Sequence, residues 1–197
     1  MGSGKNGTFD KVPDLKQWAI FSVQDEIPYC QHDEMLQLIY GKMIAGWVKN
    51  FAVESLMICL NPIVGHGTWD QKNIFDQLPK QTSHEGVTAT LTRATIRPSK
   101  LKHFWMHVAP VASQMNDAPG YLFSVGMGEV PWIKQATFSV WSSMEAMKQF
   151  AYRQKEHAEV IKKTRSEKWY SEDMFVRFGI LHSSGTLKGV NPLAEKD

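Results

Sequence analysis

Phe138-Ser139-Val140, inside the stretch KQATFSVW at 134–141, returns earlier in the chain as Phe21-Ser22-Val23. The offset is 117 residues, and at the same offset Met174 repeats Met57 and Ile180 repeats Ile63 without a gap. Stretches of helical character separate the strands of each copy. An internal repeat constrains architecture more tightly than local propensity does. The later copy is complete: residues 86–182 read as one β-α-β-β-α-β unit. The chain is therefore expected to be α+β, with two ferredoxin-like units in tandem, whose sheets enclose a cavity.

Working outward from that repeat, the pattern predicts strands over 17–23 and 55–64, with a helix over 34–51 between them. Met35, Leu36, Leu38, Ile39, Met43, Ile44 and Trp47 recur there at helical spacing. Gly65-His66-Gly67 is expected to end the second of these strands, and residues 70–86 form a polar linker. The second unit, 87–182, opens with a strand over 87–96, stopped by Arg97-Pro98. A helix follows from about Ser99, and Pro110 is expected to kink or restart it. Strands at 121–125 and 134–141 come next, the first ended by Gly126-Met127-Gly128-Glu129. Ser142 with Glu145 makes a capping box for a long helix to about Lys168. A last strand covers 173–181, and 183–197 reads as a flexible tail.

The copies are unequal. Gly126-x-Gly128 has a partner in Gly2-x-Gly4, but the strand and helix that precede the former have no counterpart before the latter. Residues 1–69 therefore read as an incomplete unit, short of its opening β-α half by roughly 40 residues if the repeat is literal. Either the chain is a natural short form or its start was assigned or cloned downstream; the alternative is that the Gly-x-Gly match is chance and the N-terminus a loop.

Composition narrows the function. With 197 residues and 43% hydrophobic content the chain can bury a core. A formal charge of +2, with no basic block interleaved with aromatics, argues against nucleic acid. Cys30 and Cys59 lack CxxC spacing and suit a reducing, cytoplasmic setting. No run reaches the roughly 20 apolar residues of a membrane span, and no signal peptide is visible after Met1. No GxSxG, Walker loop or Rossmann fingerprint occurs.

The strands point to a pocket. Met174, Val176, Phe178 and Ile180 share one face of the last strand, Phe175 and Leu181 the other with Arg177. Both faces are thus covered, one by helices and one by a companion sheet. Arg93 and Arg177 are candidates for the second, each needing an internal salt bridge or a ligand carboxylate. His157 falls within about 40° of Phe150 and Ile161 on the long helix. It is read either as a core residue or as a neutral imidazole ligand to iron. His103 and His107 stand at i, i+4, without a third metal ligand.

Five segments carry a family resemblance. They are Leu91-Thr92-Arg93-Ala94-Thr95-Ile96-Arg97-Pro98, Gly126-Met127-Gly128-Glu129-Val130-Pro131, Gln135-Ala136-Thr137-Phe138-Ser139-Val140-Trp141, His157-Ala158-Glu159 and Met174-Phe175-Val176-Arg177-Phe178. In this order and spacing they resemble the spheroidene monooxygenase family, acyclic carotenoid 2-ketolases, strongly over 87–182 and weakly through the first unit. The resemblance implies a fold of the dimeric α+β barrel type. It implies a haem (iron) monooxygenase that uses dioxygen and electrons from a ferredoxin-like donor to turn a methylene of a linear carotenoid into a ketone. It makes His157 the axial ligand and Arg93, Arg97 and Arg177 partners of the haem propionates. Phe104 and Trp105, with Phe138, would line the substrate pocket. A homodimer and a peripheral contact at the inner face of the membrane are compatible with it. A cofactor-free barrel oxygenase and a non-catalytic binder of haem or another apolar molecule are the competing readings.

Overall fold

A computed structural model describes residues 2–4, 12–26, 31–153 and 162–194. Its elements are β1 (Gly2–Gly4), β2 (Pro13–Trp18), α1 (His32–Phe51), β3 (Leu56–Gly67), β4 (Thr88–Ile96), α2 (Leu101–Met115), β5 (Tyr121–Val130), β6 (Lys134–Trp141), α3 (Met144–Arg153) and β7 (Tyr170–Gly185). The strands form one sheet in the order β2-β1-β5-β6-β4-β7-β3. Within it β5-β6-β4-β7 is the antiparallel ferredoxin-like order, with α2 and α3 as the two connections. The expected β-α-β-β-α-β unit is therefore present, and the fold is α+β.

The contacts divide the chain into two compact units, one of Met1–Phe21 with Pro62–Gly179 and one of Ser22–Asn61 with Ile180–Asp197. In the first, β4 reads Thr-Ala-Thr-Leu-Thr-Arg-Ala-Thr-Ile, alternating β-branched residues that suit a central strand. It pairs along its length with β6 and β7. One face of this sheet meets the helices. Trp141 packs against Met144, Met147 and Phe150 of α3, and Ile96 against Phe104 and Trp105 of α2. The opposite face carries Ala89, Leu91, Val140, Val176 and Phe178, all buried. Phe21 and Phe75 close on Phe178 at 6.3 and 5.6 Å between ring centroids.

The second unit holds α1, bent at Gly41, whose φ of 79° and ψ of 167° suit a residue without Cβ. Buried Met35 receives the Cys59 thiol at 3.5 Å. The His32 ring joins Ser184 and Ser55 at 2.8 and 2.9 Å. Glu54 accepts from the backbone N–H groups of Lys188 and Gly189 at 2.7 and 2.9 Å. These bonds tie down residues 183–194, which the sequence reading left as a loose tail.

Other local expectations shift for identifiable reasons. The strand expected over 17–23 is β2, five residues earlier at its end, and Phe21 instead stacks on Trp69 at 5.7 Å. Gly126-x-Gly128 does not end a strand; β5 runs on to Val130 and pairs there with β1, Gly2 against Gly128 and Ser3 against Met127. The two Gly-x-Gly segments are thus antiparallel neighbours. Gly65-His66-Gly67 is likewise the end of β3 rather than its terminator. Gly67, at φ 94°, lets β3 close on β7, because a Cβ there would collide with the Asp173 carbonyl. α2 continues across Pro110 to Met115. The cap of α3 is Ser143, not Ser142: its hydroxyl accepts from the Ala146 N–H at 3.1 Å.

No helix among the described residues is long and apolar enough to cross a membrane.

Candidate functional site

A sheet face that packs on helices is ordinarily apolar. On the central strands of this sheet the helix-bearing face is not. Arg177 of β7 stands opposite Thr90 of β4, Thr90 opposite Ser139 of β6, and Ser139 opposite Ser124 of β5. The next row runs Phe175, Thr92, Thr137 and Gly126. Along β4, Thr88, Thr90, Ala94 and Ile96 are buried on this face while Thr92 between them is exposed. The covering layer is therefore open at the middle of the sheet.

Not all of these polar groups are satisfied. The Trp141 indole N–H donates to Ser139 Oγ at 3.0 Å, and the Tyr121 hydroxyl shares a hydrogen bond of 2.8 Å with Ser124. The buried Thr90 Oγ1 and Arg177 Nε have no hydrogen-bond partner among the described residues. Arg177 instead lays its guanidinium 5.1 Å from the Phe175 ring centroid, and His66 of β3 stacks on the same ring at 5.9 Å. The site thus offers a cation without a carboxylate partner among the described residues, a row of hydroxyls and an aromatic platform. These groups suit binding of an anionic or oxygen-bearing part of a ligand.

Arg93 lies on the other face, opposite Met174 and Ala136. The expectation that Arg93 and Arg177 share a face is corrected by this register. Arg93 is fully buried, and three carboxylates hold it. Its Nη2 donates to Asp70 at 2.7 Å and Glu129 at 2.9 Å, and its Nη1 to Glu172 at 2.9 Å. Its Nε reaches Glu129 at 3.4 Å, and the guanidinium stacks on Trp69 at 4.8 Å. Lys134 shares Asp70 at 2.6 Å. Of the two partners the sequence allowed, the internal salt bridge is the one present. Burial works against the charge on Arg93, but the hydrogen bonds it donates to Glu129, Glu172 and Asp70 raise its pKa above the ordinary value. Burial likewise opposes ionisation of Glu172. The Gln71 N–H, the Thr68 hydroxyl and Arg93 nevertheless bring its carboxyl down to about 2.

The remaining predicted residues scatter. Arg97 is exposed at the end of β4, its Nε on the Tyr170 carbonyl at 3.1 Å. Phe104 and Trp105 are core residues against Ile96 and Trp169 on the helix-bearing side. Phe138 stands opposite Leu91 and Val125 on the other side, so these three do not line one pocket. His157 lies outside the described residues. Both ring nitrogens of His107 are engaged, Nδ1 with the His103 carbonyl at 2.8 Å and Nε2 with Lys163 Nζ at 3.4 Å, which takes it out of an i, i+4 metal pair. The hydroxyl row is the feature the sequence reading missed. Its signal was present as the alternation Thr88, Thr90, Thr92 and the pair Thr137, Ser139.

Comparison with known proteins gives the following. A family model described as a domain of unknown function, DUF3291, matches residues 86–178. The chain is 32% identical over 197 residues to spheroidene monooxygenase of Rhodobacter capsulatus, covering 99% of this chain and 79% of that protein. It is 32% identical to spheroidene monooxygenase of Cereibacter sphaeroides, covering 98% of this chain and 58% of that one. Among solved structures, a protein of Fusobacterium nucleatum aligns at 12% identity with a TM-score of 0.47, over 77% of this chain and 64% of its own.

Proposed function

The chain belongs to the spheroidene monooxygenase family and is a monooxygenase, and on that premise we propose that it oxidises a methylene of a linear, spheroidene-like carotenoid to a ketone with the help of haem. The oxidant is dioxygen and the electron donor a ferredoxin-like protein. Each oxygenation consumes one dioxygen, two electrons and two protons, places one oxygen atom in a C–H bond and releases one water. Two at the same carbon give a gem-diol, which loses water to leave the ketone. Haem, when bound, supplies the iron that activates dioxygen.

The observation that carries the proposal is Arg177, a cation whose buried Nε lacks a partner on a hydroxyl-lined, partly open face. An unpaired buried donor of this kind costs about 1–3 kcal/mol, and a haem propionate would remove that cost. The residues therefore fit the group. His157, in the segment His157-Ala158-Glu159, would hold the iron, and Arg177 and Arg97 would pair with the propionates. Arg93 could serve only by giving up one of its own carboxylates. Phe175 and the Thr92–Thr137 pair would shape the seat. A carotenoid resides in lipid, so we place the enzyme against the inner face of the membrane while it loads substrate.

The test is an absorption titration with hemin, wild type beside His157→Ala. A saturable Soret band with one-to-one stoichiometry, lost or shifted in the variant, is expected. A band that the variant leaves untouched removes His157 as ligand. No stoichiometric band, with turnover of a phenolic or quinol substrate by colourless protein, would replace this reading with a cofactor-free oxygenase.

A further inference from the structure

Arg177 and Thr90 face each other directly across the β4–β7 pair and lie on one side of the sheet. Directly opposed residues of an antiparallel pair hold their Cβ atoms about 4.5–5.5 Å apart. Both side chains have a buried polar atom without a partner among the described residues, Nε of Arg177 and Oγ1 of Thr90. Thr90 itself is 5% exposed, so water does not make good its loss. Two orphaned groups as close neighbours are rare where buried polar atoms are generally bonded.

Their neighbours do not satisfy them. Ser139, on the far side of Thr90, is taken by Trp141 at 3.0 Å, and Ser124 by Tyr121 at 2.8 Å. No carboxylate of the described residues forms an ion pair with Arg177, whereas three converge on Arg93 on the other face. The Phe175 ring supports the guanidinium at 5.1 Å, and His66 stacks on that ring at 5.9 Å.

We infer that Arg177 and Thr90 form a two-donor seat for one carboxylate of an otherwise apolar ligand. The guanidinium supplies the charge and a directional N–H, and the threonine hydroxyl donates to the same carboxylate from the neighbouring strand. A neutral ester in that position would lose the charge-assisted bond and keep its apolar contacts. The inference rests on the proposed haem reading only in naming a propionate as the natural occupant; the chemistry of the seat is independent of iron.

The experiment compares acid with ester on the full chain. Hemin and hemin dimethyl ester are titrated by absorption, and 11-(dansylamino)undecanoic acid and its methyl ester by fluorescence. Wild type, Arg177→Met, Thr90→Val and Thr90→Ser are run side by side. Hydrogen bonds to charged groups of this kind set the expected preference of wild type for acid over ester at about ten- to a hundredfold. Arg177→Met should abolish it, Thr90→Val should cut it severalfold, and Thr90→Ser, which keeps the hydroxyl, should retain it. A wild type that binds acid and ester alike, or a preference that survives Arg177→Met, overturns the seat even if hemin binds. An acid preference for the dansyl probe that needs Arg177 and Thr90, with no hemin binding, upholds the seat and defeats the haem reading. Should Arg177→Met fail to fold, Arg177→Lys decides. It keeps the charge without the fork, and an undiminished acid preference in it overturns the directional role.

Discussion

Replacing Arg93 with Met should destabilise the protein by about 3–5 kcal/mol at pH 7, the cost of breaking a buried ion pair from one side. The components come from the geometry. Glu129 and Glu172 are 18% and 16% exposed, and each receives a charge-assisted hydrogen bond of 2.9 Å from a fully buried guanidinium. Asp70 is half exposed and keeps Lys134, so its share is small. Met keeps the apolar stem but loses the guanidinium that stacks on Trp69 at 4.8 Å, so the loss is mainly electrostatic with a cation–π share. The pH dependence is the sharper part. The Glu172 carboxyl is held at about 2 in the folded chain against an ordinary 4.5. A depressed carboxyl pKa contributes stability that is full above 4.5 and lost as pH falls from 4.5 toward 2, about 3 kcal/mol at most. Without Arg93 the carboxylates repel one another, and acid relieves that repulsion. The gap between wild type and Arg93→Met should therefore narrow as pH falls below about 5. Urea unfolding of both proteins at pH 7, 5.5 and 4 measures it. A loss under about 1 kcal/mol at pH 7, or a gap that does not change with pH, would refute the assignment of Arg93 as the clamp of this face.

Two further substitutions test the backbone. Gly67→Ala should cost more than 2 kcal/mol, because φ is 94° and the new Cβ would meet the Asp173 carbonyl of β7; a change of a few tenths in urea unfolding would contradict the close approach of β3 to β7. Ser143→Ala should cost about 1 kcal/mol by losing the cap on Ala146 N–H, while Ser142→Ala should leave that bond in place. Equal effects at the two serines would return the cap to Ser142.

Much of the unit from β4 to β7 was legible because its signals are local. Strand alternation, the Arg97-Pro98 stop and the helix after the Ser142-Ser143 pair all act within a few residues, and each appears close to its expected place. The first half was harder. Phe21-Ser22-Val23 repeats a true strand segment, yet Phe21 packs on Trp69, Phe75 and Phe178 instead of continuing β2. Propensity there yielded to tertiary packing. The cap moved by one residue because Ser142 and Ser143 are chemically equivalent candidates, and only the approach of Gly120 to Ser142 separates them.

By itself, then, the sequence determined the order of elements, the ferredoxin-like connectivity of the later unit and the family. Each is written in short-range pattern or in motif spacing. Only the tertiary structure decided which polar residues share a face. Arg93 and Arg177 each alternate predictably along their own strands, but their mutual relation depends on the pairing of β4 with β7. That register sets Arg93 beside Met174 and Arg177 beside Thr90. A slip of β7 by one residue would bring Arg177 onto the face of Arg93. That single long-range choice makes Arg93 the clamp of one face and leaves Arg177 and Thr90 unpartnered, among the described residues, on the other.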